Sequence, residues 1–81
     1  MKNDIYSRSK ILAGKLEKQS VNSANIAKDI TDAIDYSATS GEALMKIKFH
    51  INKVLSDAEK YNGEIVKLAF DIKNDIIKLI G

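Results

Sequence analysis

From Leu44 onward the apolar residues step by three and four without a miss: Leu44, Ile47, Ile51, Val54, Ala58, Tyr61, Ile65, Leu68 and Ile72. That spacing keeps one stripe on one face of a helix. No Pro stands anywhere in the chain to force a break. The pattern predicts one long amphipathic helix over residues 42–80. Only Asn62-Gly63 interrupts it, with a local cost of about 1 kcal/mol in helix propensity and room for a kink.

The final part of this helix is apolar on two faces. Ile65, Leu68, Ile72, Ile76 and Leu79 make one stripe, and Val66, Phe70, Ile77 and Ile80 make a second beside it. A hairpin helix with one neighbour needs one stripe, so the second predicts contact with other copies of the chain. Glu64, Lys67, Asp71, Asn74 and Lys78 fill the remaining edge with mixed charge. A helix packed on most sides with one such edge suits the wall of a water-filled tube, and equally the solvated edge of an ordinary hairpin dimer.

Upstream, Ile26, Ile30, Ala33 and Ile34 predict a helix over 22–36. Ser37-Ala38-Thr39-Ser40-Gly41 reads as a turn, and Thr39 followed by Glu42 as a capping box opening the second helix, with Ser40 nearly as good an N-cap. Ile5, Leu12 and Leu16 continue the helical period sparsely through an N-terminal segment, residues 1–20, which Gly14 and Glu17-Lys18-Gln19-Ser20 weaken. The expected fold is therefore all-α: one domain over 1–81, an antiparallel two-helix hairpin with a long C-terminal helix, assembling into a hollow helical filament.

Size supports the same expectation. Eighty-one residues leave little volume for a self-sufficient core. With no Cys and a single His, disulfides are excluded and a structural zinc is disfavoured. Oligomerisation is the staple that remains. A net charge of +2, with Lys and Asp/Glu alternating, gives no nucleic-acid footprint. No apolar run reaches the roughly 20 residues of a membrane span. The sequence Met1-Lys2-Asn3-Asp4-Ile5-Tyr6 has no signal-peptide core, so the protein is expected to stay inside or to leave by a route that cleaves no signal.

Catalytic chemistry has no support in the chain. No nucleophile stands beside a base in a recognisable motif, and neither a phosphate loop nor metal-ligand spacing is present. His50, next to Phe49, reads as a packing or interface residue. Asp57 and Glu59 read as solvated charges. Neither a cofactor nor a metal is expected, and the chain is expected not to be an enzyme.

Glu42-Ala43-Leu44-Met45-Lys46, Phe49, Ile51-Asn52-Lys53, Asn62, Ile65-Val66-Lys67, Asp71-Ile72 and Ile76-Ile77 are similar in order to the type III secretion needle subunits. Ala24-Asn25 and Lys28-Asp29-Ile30-Thr31-Asp32-Ala33-Ile34 resemble the stretch before that family's turn. The chain departs from the family in having no Pro in the turn. The resemblance implies a secreted subunit that polymerises into the hollow needle of an injectisome, an extracellular appendage conducting unfolded effectors. It places Glu64, Lys67, Asp71, Asn74 and Lys78 on the lumen. Ile65, Val66, Leu68, Phe70, Ile72, Ile76, Ile77, Leu79 and Ile80 then form the subunit interface. Implied partners are other copies, export chaperones, and inner-rod and tip proteins. The rival reading is a small helical-hairpin partner of a type VII secretion system, although the Trp-x-Gly turn of that class is missing.

Overall fold

Side-chain caps set the helix boundaries. The computed structural model describes residues 5–80, and its regular structure there is entirely helical. Residues 1–4 of the expected N-terminal segment, and Gly81, lie outside the described residues. The elements are α1 (Ile5–Gln19), α2 (Val21–Tyr36), α3 (Ser40–Ser56) and α4 (Gly63–Ile80), with a short 3₁₀ turn at Ala58–Lys60.

Ser20 alone separates α1 from α2. Its hydroxyl accepts from the Ser23 N–H at 3.1 Å, and its own N–H donates to Ser23 Oγ at 2.9 Å. The Ser23 hydroxyl also reaches back to the Leu16 carbonyl at 2.6 Å, tying the two helices together across the break. At the next boundary Thr39 Oγ1 accepts from the Glu42 N–H at 3.1 Å, as the capping box predicts. The Glu42 carboxylate reaches one residue further back and accepts from the Ala38 N–H at 3.2 Å.

The rod expected over 42–80 is two helices instead of one. The chain leaves α3 at Asp57, makes the 3₁₀ turn and re-enters a helix after Asn62, whose Oδ1 accepts from the Ile65 N–H at 3.0 Å. An unbroken rod of that length would extend about 58 Å, whereas the longest axis of the fold is 30 Å. The break turns Ile65, Ile72 and Ile76 into the chain's own core, where each is fully buried or nearly so. Such burial is worth about 1.5–3 kcal/mol per side chain. The few helical hydrogen bonds lost are worth about 1 kcal/mol each net, and the cap and the 3₁₀ turn replace some of them. Burial wins.

Each helix packs on its neighbours in sequence, and α4 closes the ring against α1. Arg8 pairs with Asp75, and Lys15 Nζ lies 3.2 Å from Glu64 Oε1, so α1 and α4 run antiparallel. The Tyr6 hydroxyl approaches the Ser40 carbonyl at one end of the bundle, and Gln19 Nε2 donates to the Lys60 carbonyl at 2.8 Å at the other. The result is an up-down-up-down four-helix bundle within one chain.

Its core holds Leu12, Leu16, Ile30, Ile47, Ile51, Val54, Ile65, Ile72 and Ile76, with Ala13, Ala27, Ala33 and Ala69. Ser9 and Ser23 are also fully buried. The Cα radius of gyration is 11.5 Å, against about 11.7 Å expected for a self-contained globule of this length. The accessible surface of 4807 Å² likewise matches the roughly 4,850 Å² of a folded monomer of this mass.

Candidate interaction surface

Helix α4 carries the most strongly segregated apolar residues of the chain, and the bundle uses only one side of them. Ile65, Ala69, Ile72 and Ile76 recur at four, three and four and point inward. Ile65, Ile72 and Ile76 were expected between subunits. Their place inside the fold is a correction, caused by α1 and α3 supplying the neighbours that other copies were expected to supply. Leu68 is partly buried and packs against the same core.

The second stripe stays outside. Phe70 is 53% exposed, and Leu79, from the end of the first stripe, is 66% exposed. Ile77 and Ile80 are also exposed, and Val66 is half-buried. Val66, Phe70 and Ile77 follow at four and seven, so they share one outward face. On α3, Met45 and Phe49 are exposed at a spacing of four. The sequence reading passed over that pair as possible surface, although both lie off the core stripe Leu44, Ile47, Ile51 and Val54. Lys53 Nζ sits 4.9 Å from the centre of the Phe49 ring, partly covering it.

Beside the apolar strip runs the polar line. Glu64, Lys67 and Lys78 are exposed, and Asp71 and Asn74 are half-exposed. Glu64 pairs with Lys15 of α1, and Lys67 pairs with Asp71 at 3.3 Å along the helix. These exposed pairs contribute up to about 1 kcal/mol each. Ile11 of α1 and Leu68 floor a groove between α1 and α4, rimmed by Lys15, Glu64, Lys67 and Asp71.

His50 sits between α2 and α3. Its Nδ1 is buried without a hydrogen-bond partner, and Asp29 Oδ2 stands 3.9 Å away, outside bonding range. The Phe49 ring meets the imidazole edge-on at 5.3 Å. Burial, followed by the nearby Lys53, pushes the imidazole pKa below its ordinary value, while Asp29 opposes the shift. The surroundings are those of a packing histidine: neither an orienting acceptor nor a nucleophile accompanies it.

Among the described residues no group of three or more His, Cys, Asp or Glu side chains is placed to hold a metal ion. None of the described helices is long and apolar enough to cross a membrane. Comparison of the chain with protein-family models, with curated proteins and with solved structures finds no match.

Proposed function

We propose that this protein works by association: it is a structural subunit that packs against other copies of itself through the outer face of α4. The observation that carries this reading is the apolar strip Val66, Phe70, Ile77 and Ile80. It remains at the surface after the chain has closed its own core. A folded monomer has no internal use for such a strip, and contiguous exposed apolar surface marks interaction sites. Where this strip seats on a different patch of the next copy, the contact propagates instead of closing.

The resemblance of the chain from about Asn22 onward to needle subunits supplies the finer reading. The subunits build the hollow needle of a type III secretion injectisome, outside the cell and without a cleaved signal. Glu64, Lys67, Asp71, Asn74 and Lys78 then line a conduit whose mixed charge offers unfolded cargo no apolar patch on which to stall. Export chaperones cover the strip before secretion, and inner-rod and tip proteins meet the filament at its ends.

One feature favours the second reading, a small helical partner in a type VII secretion system. The bundle closes its core without help, so it is suited to a discrete one-to-one complex. Negative-stain electron microscopy of concentrated protein separates the two. Uniform tubes with a stain-filled centre support the needle. Small particles at every concentration overturn it and favour the discrete complex.

A further inference from the structure

Residues 57–62 join α3 to α4, yet they carry the apolar register straight through. Val54, Ala58, Tyr61 and Ile65 step by four, three and four, as they would in one unbroken helix. Little in the backbone compels the break. No Pro is present, and Gly63 does not adopt a left-handed conformation, while apart from its chain neighbours and its own helix backbone no atom lies within 4 Å of where a Cβ would stand. Three features hold the bend: the Asn62 cap on Ile65, the Gln19 contact with the Lys60 carbonyl, and the 3₁₀ turn. Tyr61 packs only partly against the core.

We propose that residues 57–62 are a hinge, and that two copies of this chain exchange α4 by straightening it. In the exchanged dimer α3 and α4 form one continuous helix. The α4 of each copy lies on α1 and α3 of the other, making the contacts it makes within one chain. Ile65, Ala69, Ile72 and Ile76 fill the same core, and Lys15–Glu64 and Arg8–Asp75 re-form between copies. The occupant of the vacated seat is thus fixed by an interface already present in the monomer, and short hinges of this kind favour exchange. The inference rests on the hinge and the core alone and does not depend on the filament reading.

Two variants bias the hinge in opposite directions. Gly63→Pro fits the bundle, because residue 63 is the first residue of α4, where Pro is tolerated. It cannot pass through a continuous helix, where Pro removes a hydrogen bond and clashes with the preceding turn. Asn62→Ala removes the cap that the bend needs. Losing it disfavours each bent hinge about fivefold, so a dimer containing two straightened hinges gains about 25-fold in association constant.

The test mixes Lys15→Cys and Glu64→Cys chains in equal amounts, in Asn62→Ala and Gly63→Pro backgrounds. After unfolding and refolding together at high concentration, a short thiol cross-linker is added. The expected result is a covalent Lys15→Cys/Glu64→Cys heterodimer in the Asn62→Ala background and none with Gly63→Pro. Light scattering should give a dimer for the first and a monomer for the second. Equal cross-linking in both backgrounds, or none in either, overturns the hinge.

Discussion

Ile76→Asp and Ile77→Asp place the same charge one residue apart, and the bundle predicts opposite consequences. Ile76 is 0% exposed and Ile77 38%. Truncating a buried Ile costs about 2–5 kcal/mol. Holding an unpaired carboxylate in its place costs several kcal/mol more, or forces the group to take up a proton. A domain this small has about 5 kcal/mol of total stability, near the bottom of the usual range. Ile76→Asp therefore unfolds the chain. Ile77→Asp loses contacts that are only partly buried, about 1 kcal/mol. It also sets a negative charge in the last turn of α4, against the helix dipole, for up to about 1 kcal/mol more. The bundle survives, but the strip on α4 now carries a charge at its middle. Far-UV circular dichroism with urea titration reads the fold, and light scattering with electron microscopy reads assembly. The expected outcome is a disordered Ile76→Asp and a folded, monomeric Ile77→Asp. A helical Ile76→Asp with an unchanged midpoint refutes the core assignment. An Ile77→Asp that assembles like the parent chain refutes the outer face of α4 as the contact surface.

Gly14 lies in the interior of α1, exposed and with nothing near a Cβ position, so Gly14→Ala should raise stability by about 1 kcal/mol, read as a higher urea midpoint. Ser9 is fully buried and its hydroxyl has no partner; Ser9→Ala removes that unmet group and should stabilise by about 1 kcal/mol in the same titration. His50 has its pKa lowered in the fold, first by burial and then by Lys53. Above the unfolded value of 6.5 both states are neutral, and below it the unfolded chain takes up the proton first. Stability should thus fall as pH drops below about 6.5 and level off once the folded imidazole also protonates. Midpoints measured between pH 7.5 and pH 5 check this, and His50→Gln should flatten that part of the curve.

The second half of the fold was legible wherever apolar residues mark the core. Leu44, Ile47, Ile51, Val54, Ile65, Ile72 and Ile76 were on the expected stripes, and all are buried. The turn after Tyr36 and the Thr39 cap were also readable. Helix α2 was legible over 22–36 and is found at Val21–Tyr36, whereas α1 was obscured because it packs on α2 through small and polar side chains. Ser9, Ala13, Ser23 and Ala27 occupy core positions that a search for large apolar residues leaves blank. Small side chains let the helices approach closely, so the sparse period of Ile5, Leu12 and Leu16 was a complete stripe with its gaps filled by Ser and Ala. The break at 57–62 was hidden for another reason. Its register is that of a helix, and only the Asn62 amide followed by Gly63 signals a new start. On its own that signal reads as a kink, because a cap inside an unbroken apolar pattern decides the outcome only when other helices are available to receive α4. Once α1 is a full helix they are, and the same residues that suited a long rod close a bundle. For the surface, the second stripe on α4 was legible as unpaired, whereas the first was assigned to other copies because α1 was not counted as a neighbour.

The closed core also changes what holds a single copy together, and this can be measured. If oligomerisation were the staple that makes the fold possible, the folded state would exist only in contact with other copies. Its stability would then rise with concentration, as for any equilibrium in which binding partners stabilise the folded form. In the bundle the side chains that dominate burial meet within one chain, and the radius and surface are those of a monomer. Among the described residues, the strip on α4, the Met45–Phe49 pair, Ile11, Val21 and Tyr36 are the large apolar side chains left outside that core. On the proposed reading, folding and assembly are separate steps driven by different residues. Thermal midpoints at about 1 µM and about 10 µM, a span worth about 1.4 kcal/mol to a dimer-dependent fold, should coincide. Phe70→Ser should leave both midpoints within a few degrees of the parent while abolishing assembly at high concentration. A midpoint that climbs with concentration in the parent chain and stays flat in Phe70→Ser would show that the strip on α4 sustains the fold itself, and that the bundle core cannot stand alone.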